Sequence, residues 1–261
     1  MKVGFVQFDP VFGKKEHNFK TVDTLLKGCT ADVIVLPELF ATGYTFLNKE
    51  EVATCAEEKG RGETYDFALA LAQKGNCAIA YGFAERDGYH FYNAMALLSP
   101  DGLVSVYRKA HLYCEEKLFF DTGSTGFTVF DYKHTNFGML ICFDWIYPEA
   151  MRTLAVKGAQ VILHAANLVM PYCPAAMVTR ALENHVFVVT ANRIGTERRG
   201  DLEHTFIGKS QVVNPKGRIL LEARTETCVH VVDIDPREAL DKKITERNDL
   251  LKDRRVDLYF K

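Results

Sequence analysis

From Lys2 to Phe8 the chain alternates apolar and other positions (KVGFVQF), a period of two that predicts a strand. EHNFKTVDTLLKGC then brings Phe19, Val22 and Leu26 round at helical spacing and reads as an amphipathic helix. DVIVLPE is a short β-branched run, the pattern of a buried strand. TYDFALALAQKGN predicts a second helix stopped by Gly75-Asn76, and CAIAYGFAE a third strand. FYNAMALLS and LVSVYRK flank Pro-Asp-Gly, the chemistry of a type I turn, so they predict a hairpin. GMLIC, PEAMRTLAVKG and AQVILHAAN form a strand, helix, strand unit, with Pro148 in the first helical turn and Gly158 at the helix end. PAAMVTRALENH is helical, VFVVTAN is a strand, FIGKSQVVNPKGRILLEA is a second hairpin and VHVVDID is the last clear strand. The tail ERNDLLKDRRVDLYFK is charged but ends in Leu258, Tyr259 and Phe260.

Helices alternate with strands, yet long hairpins interrupt them, so an α/β fold with mixed sheets is expected. NAMALLSPDGLVSVYRK and KSQVVNPKGRILLEA share a strand, Pro-x-Gly, strand plan, and each follows a helix and an apolar strand. This loose duplication predicts two stacked sheets of similar topology with helices outside. No low-complexity linker divides the chain. One domain over residues 1–261 is expected, with a C-terminal extension from about residue 236.

Composition narrows the partners. Of 261 residues, 48% are hydrophobic and 25% charged, and the formal net charge is −2, so no basic surplus points to nucleic acid or a membrane surface. No apolar run approaches the roughly 20 residues of a membrane span, and the N-terminus lacks a signal-peptide pattern. The seven cysteines (29, 55, 77, 114, 142, 173 and 228) are odd in number and form no C-x-x-C. That argues against a disulfide framework and a structural zinc, and for free thiols in a reducing cytosol. His111, His164, His185 and His204 are dispersed, and no metal is expected; His164, ending an apolar strand, reads as a hydrogen-bonded core histidine. IGKS lacks the glycine a P-loop needs five positions earlier, where Glu203 stands, and no G-x-G-x-x-G follows the first strand.

Three strand ends carry unusual side chains. Glu38 follows five apolar positions in VIVLPE, where a carboxylate either starts a solvated loop or needs a buried partner. Lys109 ends the strand VSVYRK, where basic residues also serve as edge caps. Cys142 ends GMLIC just before a turn; a buried cysteine is ordinarily packing, but active sites of α/β proteins gather at the carboxyl ends of strands. Together they supply a base, an oxyanion partner and a nucleophile.

VLPELFATGY, YRKAHL and GMLICFDWIYPEA occur in that order, with EKLFFDTGS, HAANLVMP and TRALENHVFVVTANRIG between and after them. With these motifs the chain resembles the nitrilase superfamily of carbon-nitrogen hydrolases, from residue 3 to about residue 235. The match looks nearest to a branch holding small prokaryotic and archaeal nitrilases and aliphatic amidases. The resemblance implies a four-layer α-β-β-α sandwich, usually dimeric, that needs no cofactor. It implies that Cys142 attacks the substrate carbon, Glu38 is the general base, and Lys109 with the Phe143 backbone N–H holds the oxyanion. It also implies a second glutamate, assigned to Glu116 rather than Glu115 because EKxxF matches. Tyr44, Tyr113, Trp145 and Asn167 follow the motif residues and are candidates for the substrate pocket, with wall packing as the plainer alternative.

The expectation is hydrolysis of a small amide through a thioester. A nitrilase making acid and ammonia is the alternative, and a non-catalytic binding module on the same fold is the alternative of another class. A homodimer or higher homo-oligomer is expected through PEAMRTLAVKG and PAAMVTRALENH, with Leu258 to Phe260 docking on a partner subunit.

Overall fold

The computed structural model describes residues 1–259. The first half runs β1 (Lys2–Gln7), α1 (Lys15–Leu25), β2 (Val33–Val35), α2 (Lys49–Cys55), β3 (Glu57–Glu58), α3 (Glu63–Gly75), β4 (Ala78–Asp87), β5 (His90–Ser99) and β6 (Gly102–Arg108). A short α4 (Glu116–Phe119) leads into β7 (Val129–Tyr132). The second half runs β8 (Thr135–Ile141), a 3-10 turn (Cys142–Ile146), α5 (Pro148–Val156), β9 (Val161–Ala166), α6 (Tyr172–Asn184) and β10 (Phe187–Asn192). It continues through β11 (Ile194–Arg199), β12 (Leu202–Ile207), β13 (Gln211–Val213), β14 (Ile219–Glu222) and β15 (Cys228–Asp233), before a tail with β16 (Lys243–Thr245) and β17 (Asn248–Asp249).

The expected duplication is present in the sheets. One has the order β15-β1-β2-β4-β5-β6, with β3 beside β4; the other, read backwards, is β7-β8-β9-β10-β13-β14. Along both orders the pairings run antiparallel, parallel, parallel, antiparallel, antiparallel. The match reaches single bonds. Lys109 N donates to Asn93 O, and at the same place in the second half Ala223 N donates to Ser210 O, both at 2.8 Å.

Val3, Phe5, Val33, Val35, Ala80 and Leu97 line the inner face of the first sheet and share one core with β8, β9, β10, α5 and α6. Its outer face, including Ile34, Ile79, Ala96 and Leu98, packs on Val22 of α1 and Ala68, Leu71 and Ala72 of α3. Four layers result, α-β-β-α. Local signals end the helices where the sequence predicts: Asn76 caps α3 with φ 46, and Pro148 opens α5.

Two expectations need correction. Phe206 and Ile207 belong not to the β13–β14 hairpin but to a separate two-stranded ribbon, β11–β12, which the sequence did not predict. Its residues are mostly polar, and only Glu197 and Phe206 are buried, so no apolar alternation marks them. Helix α2 was also unforeseen; only Val52 is buried in it, too little for an apolar stripe. In the tail, Leu258 and Tyr259 are exposed, and Phe260 lies outside the described residues. No helix is long and apolar enough to cross a membrane among the described residues.

Candidate active site

After β2, Leu36-Pro37 carry the chain to Glu38, whose side chain is fully buried. The turn continues through Leu39 at φ 51 and lies on Gly82 of β4. A Cβ at Gly82 would come within 2.7 Å of Glu38 Cα and of Leu39 N, so glycine is what admits the turn. The β5–β6 hairpin then delivers Asn93 from its first strand and Lys109 from just past its second. Lys109 Nζ donates to Glu38 Oε1 at 2.8 Å and to Glu116 Oε1 at 2.7 Å, and Asn93 Nδ2 donates to Glu38 Oε1 at 2.7 Å. Glu116, not Glu115, is therefore the glutamate on the lysine. Its Oε1 also accepts from Tyr44 Oη at 2.7 Å, and its Oε2 from the Tyr113 N–H at 3.2 Å.

Burial governs the charges here. It pushes the Glu38 carboxyl up; Lys109 pulls it down again and Glu116 pushes it up, leaving it above the ordinary carboxylate range. Burial alone would lower Lys109, but the charges of Glu116 and Glu38 outweigh it and hold the ammonium protonated.

Cys142 comes from the other half. It stands where β8 meets the 3-10 turn, with φ 41, a left-handed backbone that non-glycine residues adopt at a cost of roughly 1–3 kcal/mol. Asp144, fully buried, clamps the turn: it accepts from Ile141 N at 3.0 Å, Tyr107 Oη at 2.7 Å and His111 N at 3.2 Å, and pairs with His111 Nδ1 at 2.7 Å. His164 Nε2 lies 3.1 Å from Cys142 O and its Nδ1 3.2 Å from Thr190 Oγ1, and burial drops its pKa to about 4. It is thus the hydrogen-bonded core histidine the sequence suggests, and burial keeps it neutral. The Cys142 thiol is raised well above its ordinary value by burial and then by Glu38, while Lys109 and the Asn167 N–H act the other way.

Tyr113, Phe143, Trp145 and Asn167 line a cavity of about 20 Å³ with Cys142, together with Leu168, Val169 and Met170. Asn167 Nδ2 donates to Glu38 O at 2.9 Å, tying the two halves together. Tyr44 does not line this cavity. It lines a neighbouring crevice with Glu116 and His204, and its hydroxyl lies near enough to feel the charges of Glu116, Glu38 and Cys142. Glu38 Oε2, Asn93 Oδ1 and Asn167 Oδ1, all in this site, are among the buried side-chain oxygens without a partner.

Sequence reasoning missed Asn93, Asp144, Arg193 and Glu197. Arg193 is buried and donates to Asp9 Oδ1 at 2.7 Å, to Pro10 O at 2.9 Å and to Glu197 Oε1. Its guanidinium lies 4.0 Å over Phe206. Glu197 Oε2 accepts the Tyr44 N–H at 3.1 Å and the Thr45 N–H at 2.8 Å. The segment holding Tyr44 against Glu116 is thus pinned from β11. An arginine directly after the apolar strand VFVVTAN was the available signal.

Residues 2–241 match the family described as Carbon-nitrogen hydrolase. The chain is 44% identical over 265 residues to a nitrilase from Pyrococcus abyssi, covering 100% of both chains. It is 35% identical to an (R)-stereoselective amidase from a Pseudomonas species, covering 99% of this chain and 93% of that one. A mutant amidase from Nesterenkonia sp. AN1, solved with the result of Michael addition of acrylamide at its active-site cysteine, superposes with a TM-score of 0.82. It is 25% identical, over 99% of this chain and 98% of that one.

Proposed function

Because the chain belongs to the carbon-nitrogen hydrolases of the nitrilase superfamily, we propose that it releases ammonia from a small amide through a thioester on Cys142. The observation that carries this is Glu38 Oε2, a buried carboxylate oxygen with no partner whose charge acts on the Cys142 thiol. It is free to take the Sγ proton as sulfur attacks the carbonyl carbon. The oxygen of that carbonyl gathers charge, which Lys109 Nζ offsets together with the Phe143 N–H; the first N–H groups of a helical turn have no acceptor within it. When the tetrahedral centre collapses, the C–N bond breaks and Glu38 returns the proton to the departing ammonia. Water then attacks the thioester carbon, gives its proton to Glu38, and the acid leaves as Cys142 regains a proton. Glu116 and Asn93 hold Lys109 and Glu38 in register throughout.

A nitrile would use the same attack, adding Sγ across the C≡N bond, and a nitrilase relative at 44% identity keeps this as the second reading. The test is ammonia release from matched amides and nitriles, with mass spectrometry for an acyl adduct on Cys142. Amide turnover with an adduct that Cys142→Ala abolishes while the variant stays folded is expected. Fast nitrile turnover with inert amides reverses the order, and activity in Cys142→Ala removes the thiol from the reaction.

Oligomerisation belongs to the same proposal. Ile146, Tyr147, Val156 and Leu182 leave large apolar surface exposed on and beside α5 and α6, and Val256 and Leu258 add to it from the tail. We expect a homodimer that buries them, measurable by sedimentation velocity, and a monomer from Val156→Asp with Leu182→Asp.

A further inference from the structure

After β14 the chain leaves the second sheet and crosses to the first, where β15 pairs with β1. Three potential metal donors meet at this crossover. Glu226 lies in the bend just before β15; Cys228 and His230 are two residues apart on the strand, so both face the same side. That side looks toward the space between the sheets, for His230 is paired with Phe5 and their rings are 5.7 Å apart. The Glu226 carboxylate, the Cys228 sulfur and a ring nitrogen of His230 all lie within 4.8 Å of one another.

We propose that Glu226, Cys228 and His230 bind a divalent transition metal of the zinc class. Thiolate, imidazole and carboxylate together are a borderline-soft donor set, which suits Zn²⁺ and disfavours Mg²⁺ and Ca²⁺. A tetrahedral ion with sulfur at about 2.3 Å and nitrogen and oxygen near 2.0–2.2 Å needs donors roughly 3.3–3.7 Å apart. Closing from the present spacing takes about 1 Å, within the reach of the exposed Glu226 side chain. Outer contacts already hold the bend that carries Glu226. The Glu226 carboxylate accepts the Arg224 N–H at 3.2 Å, and Gln7 Nε2 donates to Glu226 O at 2.9 Å and to Arg224 O at 3.1 Å. Gln7 Oε1 in turn accepts from Ser210, which holds the second sheet. Binding exchanges the S–H bond for a metal–sulfur bond and releases that proton to solvent, with water filling the fourth position. The ion would brace the crossover that links the sheets. The spacing Glu-x-Cys-x-His is strand spacing, so reading the sequence for C-x-x-C passes over it.

The test strips the purified full chain with a chelator and titrates it with Co²⁺ and then Zn²⁺. One equivalent of Co²⁺ should produce a thiolate-to-cobalt charge-transfer band that Zn²⁺ displaces, and Zn²⁺ should raise the melting temperature. Cys228→Ser should lose the band, His230→Gln and Glu226→Gln should weaken binding at least about 10-fold, and Cys142→Ser should keep it. If Cys228→Ser fails to fold, the other two variants decide. No band in the native chain, a band surviving in folded Cys228→Ser, or a band lost in Cys142→Ser overturns the proposal.

Discussion

Lys109 and Arg193 are both buried, both follow strands and both hold two carboxylates, yet only the lysine's cluster leaves a buried carboxylate oxygen idle. Glu197 spends both oxygens on Arg193 and on the Tyr44 and Thr45 N–H groups. Glu38 puts one oxygen on Lys109 and Asn93 and keeps the other bare. A fully satisfied network rigidifies its surroundings, whereas an idle buried oxygen marks where a proton can go. Tyr44 joins the two: its backbone belongs to the arginine's cluster and its hydroxyl to the lysine's.

Removing each cation separates the roles. Lys109→Met should lower kcat/KM by roughly 10³-fold, the scale of a lost oxyanion partner, in a steady-state assay; unchanged rates would sink the assignment. Arg193→Met should instead destabilise the fold by about 3 kcal/mol, the scale of a buried charge losing its partner, read by urea denaturation. If it lowers kcat/KM as much as Lys109→Met without loss of stability, the contrast is wrong. Tyr44→Phe cuts the bridge and should reduce kcat by roughly 10-fold with little change in KM, since a neutral-to-charged hydrogen bond is worth about 1.5 kcal/mol.

The smallest effect concerns pH. In the proposed mechanism Glu38 is a base only when ionised, and burial holds its pKa above the ordinary value, so the acid limb of kcat/KM should lie above about 4.3. The negative charge of Glu116 contributes to that rise. Glu116→Gln removes it, so the limb should move to lower pH; a shift upward would contradict the electrostatics.

What was legible in the sequence was whatever broke a pattern. Glu38, Lys109 and Cys142 each end an apolar strand with a side chain that packing does not call for. The hairpin repeat exposed the duplicated sheets because Pro-x-Gly turns recur at matching places. Asn93 was hidden inside FYNAMALLS, where an amide reads as an incidental polar position. Glu197 lay in the polar ribbon of β11–β12, where a single buried apolar residue, Phe206, sets no period. Tyr44 shows the same limit: sequence shows that it follows a motif, but not that its hydroxyl bonds Glu116. At the place where the first half has Lys109, the second has Ala223, so the repeat forecasts a scaffold and says nothing of which copy carries charge.

The cavity beside Cys142, at about 20 Å³, has room for roughly one water. Even a four-atom amide is larger. A substrate that reaches Cys142 through this cavity must displace its partly exposed wall residues, Tyr113, Phe143 and Met170 among them. Turnover should then slow in a viscous solvent, as a hinge slows in oil, for amides and nitriles alike.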